Sequence, residues 1–283
     1  MHTKQTTTIT ATSTATAPVP ISTDCQTATA TTTVLASVAG RTCGARIAAY
    51  TSQPSLTCSG AAPPGETNAK FRIEGTQEGN IFDGCISAGP RNITTPSGGT
   101  HLCDGTNDNA NLSPGGTFTT AIDASGMELG YDFDGPYNSQ LQELIISRIS
   151  STTQNDYSRW SLLRNLVFTP GSGCRERLSS GDEALWAFDS DYPGRTMLDI
   201  NPQIIVVNPT ETSSIVLTVT MVNPNNGIRS PASGASIGTA SVADANGNIY
   251  LQVPSQPGCY QYKAEMTNAI RSPAVYLTVT ESL

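Results

Sequence analysis

Apolar residues along most of this chain come in short runs that alternate with polar ones, and glycine, proline and asparagine punctuate them. That period of two predicts strands rather than helices. The richest run is Trp160 to Asn165, where Trp160, Leu162 and Arg164 alternate with Ser161, Leu163 and Asn165. Pro170, Gly171 and Gly173 break it, and Ser179 to Asp182 make a tight turn. Glu183 to Phe188 then forms a second strand, apolar on both faces near its end. Trp160 and Trp186 are expected in the core, because each indole buries a large area.

Upstream, Lys70 to Gly75 and Ile81 to Ile86 alternate across a turn at residues 76–80, which predicts a hairpin. Phe118, Ala121 and Ile122 have helix spacing, so Thr117 to Ser125 is expected to be a helix stopped by Gly126. Met127 to Phe133 and Glu143 to Ile149 read as further strands. The region from Ala69 to Asp189 is therefore expected to be a mixed α+β domain.

Ser190 to Thr196 reads as a linker, after which no helical period occurs. Strands are predicted at Ile204–Val207, Ser214–Thr220, Ala235–Val242, Asn248–Val253, Cys259–Met266 and Ala274–Thr280. Turns fall at Asn223 to Gly227 and Asp244 to Gly247. Short strands at this spacing predict a β-sandwich over residues 197–283.

The first 38 residues, TTTITATSTATAP and TATATTTV among them, bury too little apolar surface to offset chain entropy. A disordered tail is expected there, with a composition that suits an O-glycosylated stalk. Residues 39–68 carry Cys43 and Cys58 and close with the linker GAAPPGET, which suggests a small stapled segment.

Charged residues make up only 13% of the 283, and the net charge is -8. Without a Lys/Arg cluster, nucleic acid is not an expected partner. No run of 18 apolar residues occurs, so no membrane span is expected. Seven cysteines are present, at positions 25, 43, 58, 85, 103, 174 and 259, with no C-x-x-C pair. Spread cysteines, a Thr-rich start and the sequons at Asn92 and Asn111 predict an oxidising, extracellular or cell-surface location. The stretch after Met1 nevertheless runs into threonine and alanine rather than a signal-peptide core.

Candidate chemistry is sparse. Of two histidines, His2 lies in the tail, which leaves His101 as the single candidate base or metal ligand. No G-x-S-x-G elbow accompanies it. His101, Cys103 and Asp104 share a Gly-rich loop where the cysteine is expected to be oxidised, so neither a metal nor a cofactor is expected. Asp132 and Asp134 would share a face if their segment is a strand, and Tyr131 and Tyr137 flank them. Aromatic faces beside carboxylates suit sugar rings, so these four residues are the candidate ligand edge, with turn packing as the alternative.

The order of an initial RIEG strand, a helix, a Trp-containing strand and a closing GDEALWAFD strand resembles the transcobalamin-like C-terminal domain. GGTHLCDGTN (98–107) and FDGPY (133–137) look like the form seen in fungal secreted and surface proteins. The resemblance covers Ala69 to Asp189 and implies a β-grasp-type module of largely unknown function. Phe118 stands where a cysteine is expected after the PGG turn, and Cys85 is additional. The C-terminal stretch resembles surface Ig-like modules. Both Cys103 and Cys174 fall in loops of the β-grasp region. A Cys103–Cys174 bridge is one expectation, worth about 2–4 kcal/mol, and Cys85–Cys103 is its rival. The resulting expectation is a non-enzymatic secreted or surface protein, recognising glycan or protein or serving as a wall-associated structural module. The alternative is a small-molecule carrier that uses the β-grasp face.

Overall fold

The computed structural model describes residues 50–281, apart from 59, 77–78, 191–193, 211 and 240. The expected tail at 1–38 and the cysteines at 25 and 43 lie outside the described residues. Within them the chain is mainly β, with one α-helix, Phe118–Leu129.

A five-stranded sheet organises the first half. Its order is Val167–Phe168, Trp160–Arg164, Glu183–Phe188, Thr67–Glu74 and Asn80–Ala88. Thr67–Glu74 and Asn80–Ala88 form the expected antiparallel hairpin, and Glu183–Phe188 lies parallel to Thr67–Glu74. The alternation sorts side chains between two different cores. Phe71, Ile73, Ala184, Trp186 and Phe188 face the helix, where Phe118, Ala121 and Ile122 complete one cluster. Leu163, Leu185 and Ala187 face the other way, against Met197, Val222 and Ile270 of the second half. Glu183–Phe188 is buried along its whole length for this reason. Both tryptophans are core residues, as their size suggests, with Trp160 at 7% and Trp186 at 2% exposure.

Thr117 caps the helix. Its side chain accepts from the backbone of Thr120, while Thr120 Oγ1 accepts from the Thr117 amide at 2.7 Å, a reciprocal box built from two threonines. The helix does not stop at Gly126. It runs to Leu129 and ends on Gly130, which has φ 77°. Gly126 is there because the chain turns back tightly: a Cβ would lie 2.9 Å from the Tyr131 carbonyl oxygen. Met127 and Leu129, expected to begin a strand, instead lie on the exposed helix face. The run from Glu143 to Ile149 also divides. Glu143–Leu144 pairs with Tyr137–Asn138, and Arg148–Ile149 pairs with Phe133–Asp134.

In the second half two sheets face each other. One has the order Tyr50–Gln53, Ile204–Val207, Val275–Val279 and Gly258–Tyr262. The other orders Arg229–Pro231, Ser214–Val222, Thr196–Asn201 and Ala269–Ile270, with Asn248–Gln252 also paired to Ser214–Val222. Ile215, Leu217 and Val219 meet Ile205, Leu277 and Val279 in the shared core. Three details depart from the sequence reading. Thr196 already belongs to a strand rather than to a linker. Ala235 to Val242 is not one strand but a minute hairpin of Ser236–Ile237 and Ser241–Val242, turned at Gly238. Tyr50–Gln53, inside the expected stapled segment, pairs with Ile204–Val207 and so extends a sheet of the second half.

Candidate functional site

The four residues expected to bind a ligand are each turned to bracing work. Tyr131 folds back on the helix and donates to the Ile122 carbonyl at 3.2 Å while meeting the Ser125 hydroxyl. Burial pushes its phenol pKa well up. Asp132 is exposed and receives both Arg148 nitrogens, at 2.8 and 3.1 Å, a bond that holds its carboxyl below the usual range. Asp134 accepts from the Ser97 amide at 2.9 Å and the Ser97 hydroxyl at 2.6 Å, which lowers its pKa likewise. Tyr137 stacks on His101 with ring centroids 3.4 Å apart and planes within 3°. His101 also bonds through Nε2 to the Gly98 carbonyl at 2.9 Å. One face of the Tyr137 ring is thus covered by the candidate base.

Aromatic exposure lies elsewhere. Tyr157 and Tyr250 are 79% and 60% exposed, on separate halves, and no partner ring stands beside either among the described residues.

Cys103 and Cys174 are bonded to each other, both almost fully buried, and tie the Gly99–Cys103 strand to the loop before Glu183. Cys85 is bonded to Cys58 rather than to Cys103. The Asp104 carboxylate caps its own turn by accepting from the Thr106 amide and hydroxyl. Among the described residues no three His, Cys, Asp or Glu side chains are grouped to hold a metal ion.

The two sequons sit differently. Asn92 is exposed on the Arg91–Thr95 strand. Asn111 spends its amide on the carbonyls of Gly105, at 2.6 Å, and Arg175, at 3.0 Å. A transferase would have to break both bonds to reach that nitrogen.

Two groups escaped the sequence reading. Glu143 is fully buried and accepts from Ser172 Oγ at 2.6 Å and from the Cys174 amide at 2.8 Å, beside the disulfide. Burial pushes its pKa up to about 7 against the lowering effect of those bonds. The second is a cleft of about 620 Å³ whose walls include Asn111, Arg164, Arg175, Glu176 and Arg177. Arg175 and Arg177 stand two apart in CRERL, a visible charge pattern, but nothing local ties Arg164 to them. A smaller concavity of about 270 Å³ lies between the halves, beside Glu74 and Arg271.

No helix among the described residues is long and apolar enough to cross a membrane. No protein family matches the chain, and neither a curated protein nor a solved structure matches it.

Proposed function

We propose that this chain is a non-enzymatic extracellular or cell-surface protein, a β-grasp-like head at 69–189 joined to an Ig-like sandwich at 197–283. It works as a recognition or wall-associated structural module. The observation that carries this reading is the buried bridge between Cys103 and Cys174, together with Cys58–Cys85. Such bonds persist in oxidising compartments and are uncommon where thiols are kept reduced. A low charge density and a net charge of -8 suit display outside the cell and disfavour nucleic acid.

The chemistry of the head agrees with this reading. His101 is stacked and hydrogen-bonded, and Asp132 and Asp134 are committed to Arg148 and Ser97. These groups stiffen the head. The carrier alternative calls for an enclosed apolar pocket, whereas the larger cleft is walled by arginines, Glu176 and Asn111.

Co-sedimentation tests the reading. Purified protein is mixed with isolated wall polysaccharide and with a wall-protein extract. Wild type and Tyr137→Ala are expected to sediment alike, because Tyr137 braces the fold. Turnover of a substrate by the purified protein, lost in His101→Ala, overturns the non-enzymatic reading.

A further inference from the structure

Among the described residues, most arginines are matched to a carboxylate. Arg91 reaches Asp123, Arg148 reaches Asp132, Arg195 reaches Asp189, Arg229 reaches Asp199 and Arg271 reaches Glu74. Within the larger cleft, Arg164 is held between Glu176 and Asp182, at 3.0 and 2.9 Å, and its Nη2 also donates to the Arg177 carbonyl. Arg175 pairs through Nη1 with Asp108 at 2.7 Å. Arg177 is different. Its one polar side-chain contact among the described residues is Nη1 to Ser113 Oγ, at 3.3 Å, and it reaches no carboxylate.

That guanidinium is nonetheless placed, not loose. A Cβ on Gly115 would lie 2.3 Å from Nη2 and 2.5 Å from Nε, and a Cβ on Gly105 would lie 2.8 Å from Cγ. The two glycines form a groove in which the side chain lies flat against backbone. On one side, the backbone of Arg177 is fixed by its bridge to Thr117. On the other, the Leu178 amide donates to the Gly116 carbonyl at 2.8 Å. An uncompensated cation held this way faces a cleft large enough for a short oligosaccharide.

We infer that the cleft binds an acidic polysaccharide, with Arg177 receiving a uronate carboxylate in a two-point hydrogen bond. Beside it, the exposed Ser179 offers a donor and an acceptor for sugar hydroxyls. The absence of an aromatic wall makes the site depend on charge more than on stacking. The inference rests on the recognition reading and names its ligand class and its site.

The test uses the full chain and trigalacturonate as probe, with binding followed by calorimetry or ligand-observed NMR. Wild type is expected to bind the acid trimer at least tenfold more tightly than its neutral methyl ester, and binding should weaken as salt rises. Arg177→Gln should lose at least tenfold. Arg177→Lys keeps the charge without the fork and should lose several-fold, and it serves if the glutamine variant fails to fold. Arg229→Gln, on the other half, should bind as wild type does. Equal binding by wild type and both Arg177 variants overturns the site, as does no binding at millimolar trimer. Inorganic sulfate binding as tightly as the trimer reduces the cleft to a bare anion hole and overturns the sugar assignment. Wall sedimentation that persists unchanged in Arg177→Gln leaves the recognition reading standing and removes this site alone.

Discussion

The guanidinium of Arg72 donates to the backbone carbonyl of Arg271 at 2.6 Å, joining residues from the two halves of the chain. Arg72 is wholly buried and also meets Glu183 through Nε at 2.9 Å and Nη2 at 2.8 Å. Glu183 in turn receives Lys70 at 3.0 Å. Glu74 takes the Arg271 guanidinium at 2.8 Å as well as Lys263, and Asp83 takes Lys263 at 2.7 Å. Beside these charges lie Leu163, Leu185 and Ala187, packed on Met197, Val222 and Ile270. The two halves therefore share an interface that is part apolar and part ionic.

Arg72→Met is expected to destabilise the protein by about 3–5 kcal/mol, because it removes the buried cation between Glu183 and Glu74, leaving each with less positive charge, and unpairs the Arg271 carbonyl. The exposed pair Arg229–Asp199 provides the contrast: Arg229→Ala should change stability by less than about 1 kcal/mol. Urea unfolding followed by fluorescence of Trp160 and Trp186 measures both. Equal effects of the two substitutions would contradict the role given to the network.

Two buried carboxyls give opposite pH dependences. Burial alone would raise the pKa of Glu183, but Arg72 and Lys70 hold it far below the ordinary 4.5. Its contribution is present above pH 4.5 and is lost as the pH falls below that value. The pKa of Glu143 is raised from 4.5 to about 7, so the folded protein holds a proton there that the unfolded chain releases. Stability from this group falls as the pH rises from 4.5 to 7, by roughly 3 kcal/mol. Glu143→Gln should flatten that descent and leave the acid limb unchanged. Urea midpoints between pH 3 and 8 provide the measurement, and an unchanged descent in the variant would exclude Glu143 as its source.

Glycosylation should distinguish the two sequons. In a host that attaches N-glycans, Asn92 is expected to be occupied, since it projects from an exposed strand. Asn111 should remain bare, its amide held by Gly105 and Arg175. Glycopeptide mass spectrometry reads this directly, and Asn92→Gln should remove the whole mass shift. A glycan on Asn111 would contradict the protection assigned to those two bonds.

Most of the strand positions were legible because the central strands are apolar on the scale of single side chains. Glu183 to Phe188 could be read as apolar on both faces near its end. What covered the second face could not. Lys70, Arg72 and Glu74 alternate with Phe71 and Ile73, a pattern ordinarily read as one dry and one wet face. Here the charged face is dry as well, because Lys263 and Arg271 arrive from nearly 200 residues away. Met197 and Leu198 hid a strand for a related reason: adjacent in sequence, they enter different cores. In the candidate edge, Asp132 and Asp134 are near neighbours in sequence, but their partners Arg148 and Ser97 come from other segments and turn the acids to bracing.

The central claim is that this protein works outside the reducing interior of the cell, and its thiol state in the natural setting tests that most directly. Cells and medium are quenched in acid, free thiols are alkylated before any reduction, and the chain is mapped by peptide mass spectrometry. Recovery from the medium or wall is expected, with Cys103 linked to Cys174 and Cys58 to Cys85. Recovery from the cytosol with these four cysteines alkylated would contradict it.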